Sequence, residues 1–238
     1  MPALLPRPDR SLLLQRAFGC DEDFLEFVSG DLFFDTSGDS GAAVASTDAV
    51  GGVVTLTTGG TDNNECYLHT TKELFKFAAG KPLFFEARIQ YAEANTDDAN
   101  VIVGFLDAAG ANAIVDDGAG PKGSYSGALF FKVDGGTRWN VETSVGGTQN
   151  TLELTAANSL DRNAHAAGGS SFQVLRIEVN PLGSAQAEAS FFIDGVHVAK
   201  LLFSLTGATE MHAIVGVKAG GANSEVVSVD YLSAWQLR

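Results

Sequence analysis

Two short strings contain residue types that hydrolases use. The first, Gly38-Asp39-Ser40-Gly41, surrounds a serine with glycine and aspartate, as in one class of nucleophilic serine site. In that class the histidine and the aspartate precede the serine in the chain. Here the first histidine is His69, which follows Ser40. We therefore interpret residues 38 to 41 as a turn, because glycine, aspartate and serine are favoured in turns.

The second string, Asp21-Glu22-Asp23-Phe24-Leu25-Glu26, places several carboxyl groups close together. A retaining glycosidase needs two carboxyl groups about 5 Å apart across a sugar-binding cleft. This string lies at the edge of an N-terminal segment that has three prolines in its first eight residues. We interpret it as solvated acidic residues that lead into the first strand, and we expect no catalytic residue in the chain.

Two aspartate pairs, Asp97-Asp98 and Asp116-Asp117, lie in segments rich in asparagine and glycine and are the candidate ligands for a hard cation such as calcium. Their spacing does not match an EF-hand, which has ligands at alternate positions and a glutamate at the twelfth. Acidic loops also occur for solubility alone. We favour solvated turns and keep calcium as the alternative.

Other cofactor motifs are absent from the sequence. It has no Cys-x-x-Cys, no phosphate-binding loop and no dinucleotide fingerprint, so we expect no cofactor. The two cysteines, Cys20 and Cys66, are expected to be free thiols, because a chain of this size does not need a disulfide. The four histidines fall in separate segments and are interpreted as single strand or surface residues: His69, His165, His197 and His212.

The charge balance restricts the possible partners. The chain of 238 residues has 29 acidic and 15 basic residues, a net charge of −14, which opposes binding to phosphate backbones. We therefore predict that it does not bind nucleic acid. No run of 18 apolar residues is present, so we predict no membrane span. Leu12-Leu13-Leu14 is too short for a signal-peptide core, and we expect the protein to stay in the compartment where it is made.

The first 20 residues differ from the rest in charge. They have three arginines against one aspartate, 3 − 1 = +2, whereas the remaining 12 basic and 28 acidic residues give −16. We interpret residues 1 to 23 as an extended N-terminal arm that could dock on an acidic neighbour, including a second copy. The alternative is a frayed terminus.

The elements that position these residues are strands. Ser190 to Val198 contains an Asp194-Gly195 pair between alternating apolar runs, which predicts a hairpin with a type I′ turn. We expect the same type of hairpin turn at Asp134-Gly135. Residues 83 to 91 alternate apolar and polar side chains, as in a half-buried strand.

The last run predicts one face formed by Val227, Val229, Tyr231, Trp235 and Leu237. About a dozen strands and no long amphipathic helix predict an all-β, antiparallel two-sheet sandwich as a single domain over residues 24 to 238.

Two groups of segments carry resemblances to known families. The 191–198 hairpin followed by the 227–232 strand resembles the closing half of the concanavalin A-like lectin/glucanase jelly roll, laminin G-like domains included. A tighter resemblance is to jelly-roll proteins encoded among the head genes of tailed bacteriophages. It is carried by residues 51–63 (GGVVTLTTGGTDN), 82–89 (PLFFEARI), 116–121 (DDGAGP) and 127–136 (GALFFKVDGG).

The phage resemblance implies a non-catalytic virion structural protein that decorates or cements the outside of the capsid and is assembled in the cytoplasm of the host bacterium. Its partners would be the major capsid protein and other copies of itself, as a homotrimer. Under this hypothesis the arm anchors the protein through Leu4, Leu5, Arg7, Arg10, Leu12, Leu13, Leu14 and Arg16.

The alternative function is a lectin-like adhesin on the particle surface that binds host-surface glycans. Such modules use aromatic platforms and often a calcium ion. Tyr125 and Trp139 are the platform candidates, although both are interpreted first as core or sheet residues.

Overall fold

The computed structural model describes residues 16–30, 33–92, 97–118, 120–169 and 171–238. Sixteen β-strands and one short 3-10 turn at Asp116–Gly118 account for the regular structure of these residues. The strands are β1 Ala17–Glu22, β2 Phe34–Gly38, β3 Ala43–Thr47, β4 Val53–Thr57, β5 Glu65–Thr70, β6 Phe75–Lys76, β7 Leu83–Ala92, β8 Ala99–Leu106, β9 Gly127–Lys132, β10 Asn140–Val145, β11 Thr148–Glu153, β12 Gln173–Pro181, β13 Gln186–Ile193, β14 Val196–Ser204, β15 Glu210–Ala219 and β16 Val226–Leu237.

The strands form two antiparallel sheets. Sheet A has the order β14-β13-β12-β7-β16-β4-β3, and β1 also pairs with β16. Sheet B has the order β11-β10-β9-β8-β15-β5-β2, and β6 pairs with β15. The all-β two-sheet sandwich predicted from the sequence is confirmed. No helix among the described residues is long and apolar enough to cross a membrane.

The core lies between the two sheets and follows from the period of two along each strand. In β7 the side chains of Leu83, Phe85, Ala87, Ile89 and Tyr91 are buried and the residues between them are half-buried. The Phe85 ring meets the Phe105 ring of sheet B edge to face, at 5.5 Å between centroids. This strand has the pattern predicted from its sequence.

The Asp194-Gly195 hairpin is also confirmed. Asp194 has φ 49° and Gly195 has φ 81°, so both central residues adopt the positive φ that a type I′ turn requires. Phe191 and Ile193 are buried, while Phe192 lies on the outer face of sheet A below the guanidinium of Arg176.

A turn does form at Asp134-Gly135, closed by the Gly136 amide donating to the Val133 carbonyl at 3.0 Å, but it is not the predicted two-residue type I′ hairpin turn. Strands β9 and β10 do pair, but residues 133 to 139 connect them, and only Gly135 of the pair has a positive φ. The chain needs this longer connection because the Trp139 amide donates to the His165 carbonyl of another segment. The tight two-residue turn lies one connection later, at Gly146-Gly147 between β10 and β11.

The single face predicted for the last strand changes sides halfway along. Val229 pairs with Ile89 and Tyr231 pairs with Arg88, so Asp230 is an extra residue in a β-bulge. The bulge reverses the alternation that follows it. Leu232, Ala234 and Gln236 therefore point into the core, whereas Tyr231 and Trp235 are half-buried on the opposite face and Leu237 is exposed.

Part of the predicted arm belongs to the sandwich. Ala17 to Glu22 form β1, which pairs with Leu237 to Leu232 of β16, so the sheet begins earlier than the predicted boundary at residue 24. The Arg238 amide donates to the Arg16 carbonyl at 2.8 Å, which places both ends of the described chain together. Arg16 is exposed. The other predicted anchors lie outside the described residues: Leu4, Leu5, Arg7, Arg10, Leu12, Leu13 and Leu14.

Candidate functional site

The sandwich has two chemically different ends. Strand β16 has 12 residues, so its two ends lie roughly 36 Å apart. Its last residues lie beside Arg16, at what we call the terminal end. Its first residues follow the 220–225 connection, at what we call the acidic end.

The predicted aspartate pairs are brought together at the acidic end. The Asn63 side-chain nitrogen donates to the Asp117 carboxylate at 3.2 Å, and the Asp117 backbone amide donates to the Asn63 side-chain oxygen at 3.0 Å. The Gly135 amide donates to the Asp97 carbonyl at 2.8 Å. A Cβ built on Gly220 would lie 2.2 Å from the Asp98 carbonyl oxygen, so only glycine fits where these connections meet.

The aspartates at this end are already engaged with other protein groups. Asp116 accepts a hydrogen bond from the buried Lys218 ammonium, and Asp117 bonds to Asn63. Burial, and then the nearby Asp98 carboxylate, raise the pKa of Asp134. Within the described ranges no three carboxylate, histidine or cysteine side chains are placed to hold one metal ion.

The outer face of sheet B is covered by the long connection between β8 and β9, residues 107 to 126. Ala113, Ile114 and Tyr125 of this connection are buried against an apolar cluster on the sheet. The sheet residues of the cluster are Tyr67, Ile102, Leu106, Leu129, Phe131 and Ile214. The molecule thus has a second, smaller core outside the main one, beneath the 107–126 connection.

Two carboxyl groups are buried beneath this cover. The Glu65 carboxylate accepts from the Tyr67 hydroxyl at 2.6 Å, the Asn112 amide at 2.8 Å and the Lys218 ammonium at 3.2 Å. Burial, and then the charge of Glu65, raise the pKa of the Tyr67 hydroxyl far above its usual value. Because three donors surround Glu65, its carboxylate has no open side toward a ligand.

The second buried carboxyl group, Glu142, is enclosed in the same way. It accepts from the Tyr125 hydroxyl at 2.6 Å, from the Gln149 amide at 2.8 Å and from the Thr151 hydroxyl. Burial, and then the Glu142 charge, raise the pKa of Tyr125. Both carboxylates therefore hold the 107–126 connection and the edge strand β11 onto the sheet, and neither faces a cleft.

The two aromatic platform candidates are both core residues. Trp139 is fully buried between the Tyr91 and Phe130 rings, each 6.2 Å away, and its indole nitrogen donates to the Gln173 side chain at 3.0 Å. Tyr125 is 1% exposed. Neither ring can stack on a sugar, so both candidates are wrong as a binding platform.

The turn interpretation of the first hydrolase-like string agrees with the structure, whereas the acidic string begins in the last two residues of β1 and follows that strand instead of leading into the first one. Residues 38 to 41 form the turn from β2 to β3, in which the Ala42 amide donates to the Asp39 carbonyl at 3.0 Å. In the acidic string, the Glu22 carboxylate accepts from the Phe24 amide at 3.0 Å as the chain leaves β1. Cys20 and Cys66 are free thiols, as predicted, and the structure shows that both are buried.

Sequence reasoning missed a histidine pair. His69 of β5 and His212 of β15 have ring centroids 5.1 Å apart, and the Nδ1 atoms of both rings contact the Thr70 carbonyl oxygen. Burial lowers the pKa of His69. The two residues are 143 positions apart in the sequence and meet through the register of β5 with β15, so no local pattern could indicate the pair.

No protein-family model matches the sequence, and no curated protein matches it. Solved structures do match the fold. They include SO2946 of Shewanella oneidensis MR-1, a protein of unknown function, at TM-score 0.59 and 12% identity, covering 100% of this chain and 96% of that one. The endo-1,3-beta-glucanase of Streptomyces sioyaensis matches at TM-score 0.59 and 16% identity, with 93% and 96% coverage. Peanut lectin matches at TM-score 0.58 and 12% identity, with 93% and 98% coverage.

These similarities show a concanavalin A-like lectin/glucanase jelly roll, as predicted. At such low identity they concern the fold alone.

Proposed function

We propose that the protein is a non-catalytic structural component that decorates or cements the outside of a tailed-phage capsid and attaches through its terminal end. One observation carries the proposal: both ends of the described chain lie at one end of the sandwich, and the aspartate-rich connections lie at the other. The particle is proposed to be a phage capsid because the sequence segments described above resemble phage head proteins.

This polarity suits a protein that anchors at one end. Residues 1 to 15, which include Arg7 and Arg10, are joined to Arg16 and so are tethered at the terminal end whatever their conformation. The aspartates at the opposite end then face away from the attachment surface. An outward acidic surface also disfavours capture of the genome during assembly in the same cell.

The cover over the outer face of sheet B supports a role without catalysis. A glycosidase needs two carboxyl groups open to one cleft, whereas Glu65 and Glu142 are each enclosed by three donors beneath the 107–126 connection. Among the described residues these are the carboxylates most deeply placed on that face, at 3% and 4% exposure. Their hydrogen bonds serve to hold the cover in place.

The test uses phage heads assembled without this protein, to which purified full-length chain is added before sedimentation. We expect the wild type to co-sediment with the heads, and a chain that lacks residues 1 to 15 to remain folded but bind more weakly. The deletion stops at residue 15 because a longer one would remove β1. Failure of the wild type to co-sediment would refute the proposal. Sedimentation equilibrium of the free protein tests the predicted homotrimer.

A lectin-like adhesin is the second candidate. It is favoured by the fold similarity to peanut lectin, whereas the two residues predicted as its aromatic platform, Tyr125 and Trp139, are buried. Binding to a glycan array, together with a calcium-dependent rise in melting temperature, would favour this function over decoration.

A further inference from the structure

We propose that β3, an edge strand of sheet A, pairs with β3 of a second copy of this chain. The strand, Ala43–Thr47, pairs with β4 on one side and ends the order of sheet A on the other. Four of its five residues are exposed, and Val44 is half-buried. The inference concerns contacts between copies, so it does not depend on attachment to a capsid.

The outer edge of β3 offers backbone groups to a new strand. In an antiparallel ladder, alternate residues direct their N–H and C=O groups to opposite sides, so an edge strand leaves part of these groups without a strand partner. Among the described residues, the backbone groups of residues 44 to 46 make no hydrogen bond outside the ladder with β4. A groove of about 400 Å³ lies beside the strand and is lined by residues 36–39, 42–44 and 66. The edge is therefore open at residues 44 to 46.

The strands at the other ends of the two sheets are contacted by segments of their own chain. On β14 the Val198 carbonyl accepts from the Leu160 amide at 2.9 Å. On β2 the Phe34 carbonyl accepts from the Gly30 amide at 3.0 Å. The last residue of β11 accepts from the Asn158 side chain at 3.2 Å. Within the described part of the chain, the middle of β3 has no such contact.

Strand β3 also lacks the residues that keep exposed edges apart. Natural edge strands often carry a lysine, a proline or an inward-pointing charge, which prevents pairing with another chain. The sequence AVAST has none of these. No lysine or arginine occurs from residue 17 to residue 71, so no basic side chain of the neighbouring segments protects this edge either.

The side chains of β3 leave room for a second strand. Val44 and Ser46 pair with buried residues of β4 and therefore share the core side of sheet A. Ala43, Ala45 and Thr47 lie on the outer face. All three are small, so a second backbone can approach to the usual strand spacing of about 4.8 Å.

A two-fold antiparallel register makes the strand complementary to itself. When Ala45 lies opposite Ala45 of the second copy, Val44 faces Ser46 and Ala43 faces Thr47. Each cross-strand pair then combines small or β-branched side chains without charge. The strand pair would join the two A sheets edge to edge.

The same register separates the aspartates that flank the strand. Asp39 falls opposite Gly51 and Asp48 falls opposite Ala42, whereas like charges directly opposite each other would destabilise the pair. The Asp39 carboxylate is also engaged by its own chain, since it accepts from the Glu65 amide at 3.1 Å. In a protein with a net charge of −14, two copies can thus meet here without opposing carboxylates.

These features favour a second copy over other occupants. A basic segment would gain little, because β3 has no carboxylate of its own. Residues 1 to 15 have prolines at positions 2, 6 and 8, which cannot donate to a ladder. An isologous strand pair closes at two copies, so it would link copies of neighbouring trimers rather than build the predicted homotrimer.

The first experiment measures the mass of the free full-length protein by sedimentation equilibrium, from about 1 to about 500 µM. We expect the mass to double with concentration, and to double more readily at about 500 mM salt because the flanking carboxylates then repel less. Ala45→Lys and Ala45→Glu should each weaken the association at least about tenfold, since each sets a like charge opposite itself.

An equimolar mixture of Ala45→Lys and Ala45→Glu should restore the association, because opposite charges then face each other. Ala157 is also exposed and lies in a connection outside the sheets, so it provides the matched control. Ala157→Lys and Ala157→Glu should each associate within about twofold of wild type.

The second experiment tests the register with single cysteines. Ala45→Cys should form an intermolecular disulfide on oxidation, because directly opposite residues bring their Cβ atoms within about 5.5 Å. Thr47→Cys, which lies opposite Ala43, should cross-link far more slowly. Wild type is the control, since its Cys20 and Cys66 are buried.

Several outcomes would overturn the pairing. They are a mass that stays constant over the concentration range, charge variants that associate as wild type does, and faster cross-linking of Thr47→Cys than of Ala45→Cys. Doubling that requires the removal of residues 1 to 15 would identify the arm as the cover of β3 and also refute the proposal. Circular dichroism shows that each variant is folded. Since no phage head is used, a negative result here leaves the decoration function standing.

Discussion

Replacing Lys218 by methionine should strongly destabilise the protein, because its ammonium is at the centre of the buried network on sheet B. The residue is 1% exposed and donates to the Glu65 carboxylate, the Asn112 side chain at 3.2 Å and the Ile114 carbonyl at 2.9 Å. It also bonds to Asp116, which is half exposed. Methionine matches the length of the lysine chain, so the change removes the charge and the donors with little change in packing.

The expected loss of stability depends on the Glu65 charge, which remains buried when Lys218 is replaced. Removing one partner of a buried ion pair costs about 3 to 5 kcal/mol, since the other charge is left without compensation. Glu65 keeps the Tyr67 hydroxyl and the Asn112 amide as donors, so we expect the lower part of that range, about 3 kcal/mol. Adding Glu65→Gln removes the stranded charge. The double variant should therefore be more stable than Lys218→Met alone by about 1 to 2 kcal/mol.

The assay is urea unfolding followed by circular dichroism for wild type, both single variants and the double variant. Hydrogen exchange of residues 112 to 122 reports whether the cover on sheet B opens before the sandwich unfolds. The reasoning is refuted if Lys218→Met costs less than about 1 kcal/mol, or if the double variant loses the sum of both single losses.

Three further predictions concern other parts of the molecule. Gly19→Ala should cost about 3 kcal/mol by thermal melting, because the added Cβ would lie 2.0 Å from the Ala234 carbonyl oxygen; a change below about 0.5 kcal/mol would contradict the β1 register. Burial lowers the pKa of folded His69 below the 6.5 of the unfolded chain, so stability should decline as pH falls through 6.5, and His69→Gln should reduce that decline. Burial raises the thiol pKa of Cys20 to about 12 and that of Cys66 to about 11, so neither should react with a thiol reagent near neutral pH until the protein unfolds.

The parts of the fold that the sequence predicts are those determined by neighbouring residues. The Asp194-Gly195 turn and the alternation of β7 depend on local conformation and on one buried face, and both are found as predicted. Asp134-Gly135 has the same residue types, but the Trp139 backbone pairs with a distant segment and lengthens the connection. Turn chemistry thus permits a tight hairpin without requiring one.

Features that depend on a distant partner could not be read from the sequence. The bulge at Asp230 reverses the faces of β16 because the strand must pair with β7 along its length, and an alternating pattern gives no sign of the extra residue. Residues 17 to 22 show no strong alternation and become a strand because β16 offers them an edge. The two aspartate pairs lie in different connections that the fold brings to one end of the sandwich. The two aromatic candidates are buried by residues that are distant in the sequence.

The pairing of β1 with β16 determines how the protein would respond to mechanical force. The N-terminus of β1 points to the terminal end, and six cross-strand residue pairs join the two strands. If the arm holds a surface and the body is pulled away, the load acts along the strands, so all hydrogen bonds of this ladder must break together rather than one after another. A force applied between the N-terminus and Arg238 would instead peel β1 from its end, one bond at a time. The same six pairs would therefore resist detachment from a surface far better than they resist opening at the chain ends.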